Sequence, residues 1–420
     1  PNSRRQHLPC KRYHAPVPAL LSDQDLLARL IAFDTTSHLS NQPLADFICN
    51  YLDRPEAGIR ITRNDLPEGD KTNLVISRGP EMDSRLNSGG GLILCGHMDT
   101  VPALEPDWNS DPFTLTEQNN RLYARGSCDM KGFLALAMNA FLSIPENQFN
   151  HPLTLLFTCD EELGSLGVQH LVQSVGPDLN LPTACVIGEP TSNRAVRMHK
   201  GHLKMRLSVT GRAAHSGSPH LGENAIEPLG QAILLLTALR KTLEENHTET
   251  SKFFPQTPHP VLNLARIQGG EAINVIPDSS SLDLGVRLLP DQSAEDMLGL
   301  LQQLLFGTTG GTRAGGKSGS AWEDQNRATL ETINDNPPLL SSEDAPLHNA
   351  ICEIIHQTDS LGVSFASDGG ILRRDLNLDC ILFGPGDIAV AHKANEFIPI
   401  DEFNQYRGYL DQLITQFCLA

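Results

Sequence analysis

Five positions in this 420-residue chain put an imidazole or a carboxylate just beyond a short apolar run. They are His97 with Asp99 in GLILCGHMDTVP, Asp129 in SCDMKG, the pair Glu161 and Glu162 in TCDEELGS, Glu189 in VIGEPT, and His392 in GPGDIAVAHK after CILF. Each alone is ordinarily a solvated strand end; five in one chain point to a metal site. Imidazole nitrogen and carboxylate oxygen are the donors of zinc-like cations, and a pair of such ions polarises a carbonyl while supplying a nucleophile from water. Adjacent residues are poorly placed to bind the same ion, so one of Glu161 and Glu162 can ligate while the other takes the proton of water as general base. His97 and Asp99 sit at alternate positions and point the same way if the chain is extended. Asp99 is then expected to accept the ring N–H that His97 does not use for metal.

Groups this far apart meet only if the fold gathers them. Short apolar strands at Leu92–Cys95, Leu153–Thr158, Ala184–Ile187 and Cys380–Phe383 alternate with helical segments, which predicts a mixed, mostly parallel sheet with helices on both faces. In such sheets the strand C-termini converge on one crevice. Helices are expected from the Ser22 N-cap through DQDLLARLIAF, over Pro43–Leu52, after SCDMKG, over CDEELGSLGVQHLVQSV directly after the strand Leu153–Thr158, and near Pro346–Thr358. The character changes after about Met198: an alternating strand LKMRLSVT, a long helix, two strands, a helix and a last strand resemble a ferredoxin-like α+β unit. The expected organisation is a tail over 1–21 that is disordered, a catalytic domain from 22–198 and 337–420, and an inserted domain at 199–336. The Gly/Ser-rich stretch between Gly307 and Arg327 is expected to be a mobile loop.

Composition narrows the class. A formal charge of −18 argues against nucleic acid and anionic membrane as partners and does not repel a cationic substrate. Nine cysteines lack a CxxC pair or regular spacing, as expected of reduced thiols in a cytoplasmic protein. The longest apolar helical segment, Phe133 to Ile144, is too short for a bilayer, and the first twenty residues lack the apolar core of a secretion signal.

The motifs GHMDTVP, ARGSCDMKG, TCDEELGS, GEPT, GRAAHSGSPHLGENAI, NVIPDSSSLDLGVR and FGPGDIAVAHKANEF together resemble the zinc aminoacylase/desuccinylase metallopeptidases, most nearly their acetylornithine deacetylases. The resemblance covers most of residues 22–418. It implies a dinuclear zinc exopeptidase-like fold with an inserted dimerisation domain, and two Zn2+ ions for which Co2+ can substitute. One ion would be held by His97, Asp129 and Glu189, the other by Glu162, His392 and the bridging Asp129. Glu161 would be the base, and Asp99 would orient His97. His215 would reach across a homodimer to stabilise the oxyanion, while Asn274 and Arg287 would hold the carboxylate of an N-acyl amino acid. The implied reaction removes the N2-acetyl group of acetylornithine, a step of arginine biosynthesis.

Residues outside the metal set have ordinary readings too: His215 as a loop histidine, Arg287 as a solvated strand residue, Asn274 as a turn former. His199, His202 and His220 read as structural or surface histidines. Ser216 has no acid partner arranged for a triad. The stretch Ser367, Asp368, Gly369 and Gly370 departs from a Glu-containing variant found in some acetylornithine deacetylases and is expected to read the distal end of the substrate. N-acetylcitrulline, N-succinyl-diaminopimelate and short peptides are the competing substrates. A catalytically silent homologue kept for binding is the competing class, and it should have lost a ligand or the base.

Overall fold

The computed structural model describes residues 20–54, 57–81, 90–176, 179–307 and 327–420. Most of the expected tail and the interior of the Gly/Ser-rich loop, residues 1–19 and 308–326, lie outside these. The last tail residue, Leu21, packs on the core and is part of the folded chain. The chain divides into two units, one made of 1–198, 341–361 and 367–420, the other of 199–340 and 362–366.

The first unit is built on a six-stranded sheet. Its spatial order is Arg60–Asp65, Thr72–Arg78, Leu153–Thr158, Leu92–His97, Ala184–Ile187 and Asp379–Leu382. The first two strands run antiparallel to their neighbours, and the remaining pairings are parallel. The central strands are buried along their whole length, as unbroken apolar runs require. Helix Asp23–Ile31 starts where Ser22 Oγ accepts the Asp25 N–H at 3.1 Å, and its Leu26, Leu27, Leu30 and Ile31 enter the core. Helix Lys131–Ser143 is buried around nearly all its circumference and lies close against the sheet. At Gly96 and Gly188, each one residue before a candidate ligand, a Cβ would collide with this helix at Met130 or Phe133. Glycine at both positions lets the strand ends approach the helix.

The second unit is an antiparallel sheet ordered Val261–Gly269, Ser279–Leu288, Gly201–Thr210, Ala328–Asn336. Helices Ile226–Glu244 and Ala294–Phe306 contribute Leu229, Leu236, Leu301 and Leu305 to its core. In chain order this is strand, helix, strand, strand, helix, strand, the ferredoxin-like arrangement. Gly201–Thr210 alternates buried and half-buried residues along its length, so one face is covered and the other is partly open.

One local expectation fails. The segment after Leu153–Thr158 does not enter a helix at once: Asp160 and Ser165 adopt left-handed φ of 52° and 61°, and the helix begins at Leu166. The intervening Glu161 and Glu162 are in a turn whose N–H groups are taken by a distant side chain, described next.

Candidate metal centre

Asp129 stands in the turn ahead of helix Lys131–Ser143 and offers one carboxylate oxygen to each of two imidazoles. Its Oδ1 lies 2.9 Å from His97 Nε2, and its Oδ2 lies 3.2 Å from His392 Nε2. The same His392 nitrogen is 2.9 Å from Glu162 Oε1. Donor atoms of His97, Asp129 and Glu162 all lie within 4.8 Å of one another, and so do those of His97, Glu161 and Glu189. All six residues belong to the first unit. His97 ends the strand Leu92–His97, Glu161, Glu162 and Glu189 follow the ends of Leu153–Thr158 and Ala184–Ile187, and His392 follows Asp379–Leu382 through a loop that gives it a left-handed φ of 59°.

Asp99 differs from the sequence expectation. The His97 Nδ1–H partner is the Asp99 main-chain carbonyl at 2.9 Å, whereas the nearest carboxylate oxygen is 3.7 Å away. That carboxylate accepts the N–H of Glu161 at 3.1 Å on Oδ1 and the N–H of Glu162 at 3.2 Å on Oδ2, with the Ser37 hydroxyl at 2.8 Å. A fully buried carboxylate needs such donors. It fixes the turn that carries both glutamates and leaves the imidazole to the main chain. Beside it, Lys71 donates to the Ser37 carbonyl at 2.6 Å and to Asp160 at 2.7 Å.

Left to one another, His97, Glu161, Glu162, Glu189 and His392 hold protons more strongly than usual, and Asp129 less. Burial drives the Glu161 and Glu189 carboxyls well above their ordinary range. Neighbouring charge adds to this, Glu189 acting on Glu161 and Asp129 on Glu189. Burial also raises Glu162, against the opposing hydrogen bond from His392. For Asp129 the two imidazoles overcome burial and hold it well below the usual carboxylate range. For His97 desolvation pulls the imidazole down, but the hydrogen bond to Asp129 and the charges of Asp129, Asp99 and Glu189 together outweigh it and raise it well above an ordinary histidine. His392 is raised to about 10 by its bonds to Asp129 and Glu162. Packed acids that repel one another, with neutralisable imidazoles interleaved, fit divalent cations taking mixed nitrogen and oxygen donors.

Other expected site residues fall elsewhere. Ser367 is fully buried and spends its hydroxyl on capping helix Asp368–Leu376, accepting the Gly369 N–H at 3.2 Å. The Asp368 carboxylate is buried and accepts the Thr158 hydroxyl at 2.6 Å. Ser367 and Gly369 thus form a helix start, with the Asp368 carboxylate held by Thr158 at its first residue. In the second unit, exposed His215 pairs in register with Val275, and the Ser216 N–H donates to the Asn274 carbonyl at 2.9 Å. Arg287 lies on Ser279–Leu288 opposite His202. Burial, aided by the Arg287 charge, pushes His202 down to about 3. Burial likewise takes His199 down to about 4, against the pull of its hydrogen bond to the Lys200 carbonyl and with Arg287 adding to the fall.

One group escaped the sequence reading altogether. Glu396, four residues after His392, is buried and accepts the N–H groups of Cys128 and Asp129. The only signal was an acid within the quoted AHKANEF motif.

The profile of peptidase family M20/M25/M40 matches residues 93–416. The chain is 34% identical over 383 residues to an acetylornithine deacetylase of Edwardsiella ictaluri, spanning 90% of this chain and 92% of that one. It is 33% identical over 392 residues to the acetylornithine deacetylase of Proteus mirabilis, spanning 93% of each. Its fold is similar to an M20 family metallo-carboxypeptidase from Sulfolobus solfataricus, with TM-score 0.71, 17% identity and coverage of 95% and 99%. It is also similar to a dinuclear metal-binding M20 peptidase of Bacillus subtilis, with TM-score 0.60, 14% identity and coverage of 94% and 99%.

Proposed function

Since this chain belongs to peptidase family M20/M25/M40 and is a metal-dependent hydrolase, we propose that it removes the N2-acetyl group of acetylornithine, releasing acetate and ornithine. The observation that carries the chemistry is the Asp129 carboxylate, with one oxygen toward His97 and the other toward His392. The relatives named above support the substrate.

In this reading His97, Asp129 and Glu189 would hold one Zn2+, and Glu162, His392 and Asp129 would hold a second, with Co2+ able to replace either. When bound, the cations polarise the scissile carbonyl and render water nucleophilic at neutral pH. Glu161 takes the proton from that water as its oxygen bonds to the acetyl carbon. It returns the proton to the departing amine as the C–N bond breaks. Asp99 holds the main chain of Glu161 and so aims the base. The partner subunit's His215 donates to the oxyanion in a homodimer formed through the second unit. Arg287 and Asn274 take the substrate carboxylate; a guanidinium matches that planar anion. The described cysteines are free thiols, which suits a reducing cytoplasm. No described helix is long and apolar enough to cross a membrane.

The deciding measurement is kcat/KM for acetylornithine against N-acetylcitrulline, N-succinyl-diaminopimelate and short peptides on metal-loaded protein. Absence of a preference for acetylornithine would sink the substrate assignment. Failure to bind or respond to zinc or cobalt would favour the silent homologue.

A further inference from the structure

Asp129 must place two oxygens toward two imidazoles, yet it belongs to no strand; it lies in a turn whose direction the sheet does not set. What sets it is Glu396. Its Oε1 accepts the Cys128 N–H at 2.9 Å and the Asp129 N–H at 3.0 Å, and its Oε2 accepts Arg125 Nη1 at 2.7 Å. The main chain joins the same two segments again, the Ala124 N–H donating to the Glu396 carbonyl at 3.1 Å. Both side chains of the ion pair are 1% exposed. Arg125 is in turn tied to Glu105 at 2.9 Å and to the Pro102 carbonyl at 3.2 Å, so the clamp reaches the end of the segment that carries His97 and Asp99.

We propose that Glu396 is a positioning residue for the metal centre: its carboxylate, anchored by Arg125, grips the main chain at Cys128 and Asp129 and aims the carboxylate that the two cations would share. This rests on the two-cation reading above. A buried carboxylate is costly unless its oxygens are used. Here three donors use them, and two of the three lie on the residues that aim Asp129. Groups that hold a ligand in place typically govern metal affinity by roughly 10–100-fold.

The test is Co2+ binding to full-length protein, measured by competition with a chelator and by the visible spectrum of the bound ion, beside turnover. Glu396→Gln sets an amide against Arg125 and should weaken Co2+ binding by roughly 10–100-fold, with an altered spectrum. Glu396→Asp keeps the charge but withdraws the oxygen from the two N–H groups, so it should lose affinity too; it carries the test where the glutamine variant does not fold. Wild-type affinity and spectrum in either folded variant would overturn the proposal. If the parent protein itself bound no Co2+, the metal-centre reading would fall instead.

Discussion

His392 Nε2 lies 2.9 Å from Glu162 Oε1 across 230 positions of chain. Because Asp129 and Glu162 lift that imidazole to about 10, an incoming cation displaces a proton from it at neutral pH. Affinity for Zn2+ or Co2+ should therefore rise between pH 6 and pH 8, with proton release detectable by calorimetry in buffers of different ionisation enthalpy. His392→Gln should remove part of that release. Proton-neutral binding would contradict the arrangement.

The same shift has a stability consequence for metal-stripped protein. The folded value of about 10 stands above the ordinary 6.5, so folding is favoured by proton uptake. The contribution is fully present below about 6.5 and is lost as pH rises through about 10. Chelator-treated protein should show a Tm that falls from pH 7 to pH 10 more steeply than that of His392→Gln. Parallel curves would rule this out.

Glu161→Gln keeps the shape of the base but not its proton chemistry. Turnover should fall by roughly 10²–10⁴-fold or more while bound metal, counted by elemental analysis, stays at the wild-type level. Near-normal turnover with metal in place would remove Glu161 from the mechanism.

Asp99→Ala would leave two partly buried N–H groups without their acceptor, at up to roughly 1–3 kcal/mol each, and release the turn that holds both glutamates. Denaturant titration should register the destabilisation, and kcat should fall more than the loss of folded protein explains. Full kcat in the folded fraction would leave Asp99 a structural residue only.

If His215 serves the neighbouring subunit, two inactive variants should complement. Random mixing of Glu161→Gln with His215→Ala should recover about a quarter of wild-type activity, because half the dimers are mixed and each has one complete site. Mixtures as inactive as their parents would confine His215 to its own chain.

The strands were legible because they are unbroken apolar runs: Leu153–Thr158 and Ala184–Ile187 coincide with their expected ranges. Periodicity likewise revealed Ile226–Glu244, whose apolar residues face one core. The gathering of His97, Glu161, Glu162, Glu189 and His392 was legible because parallel strand ends converge, whatever the spacing in sequence; Asp129, expected beyond such a strand, instead lies in a turn after Arg121–Tyr123 of a separate antiparallel sheet. The grip of Asp99 on Glu161 and Glu162 was not. An HxD pattern shows where two side chains begin, but the donors that claim the carboxylate lie 62 and 63 residues away on a turn that reads as helix. Glu396 was hidden for the same reason, since two of its three partners are main-chain groups, which have no signature in side-chain types. The cap at Ser367 was not foreseen because capping residues and substrate-binding residues are chemically alike.

The sheet of the first unit closes with Asp379–Leu382 beside Ala184–Ile187, and the second unit is spelled out between them. On the ribosome, the segments bearing His97, Asp129, Glu161, Glu162 and Glu189 emerge well before the edge strand and the imidazole that complete them. A nascent chain halted after the second unit holds a crowd of acids with one histidine and an open sheet edge. Synthesis order alone therefore withholds the complete centre until His392 is made.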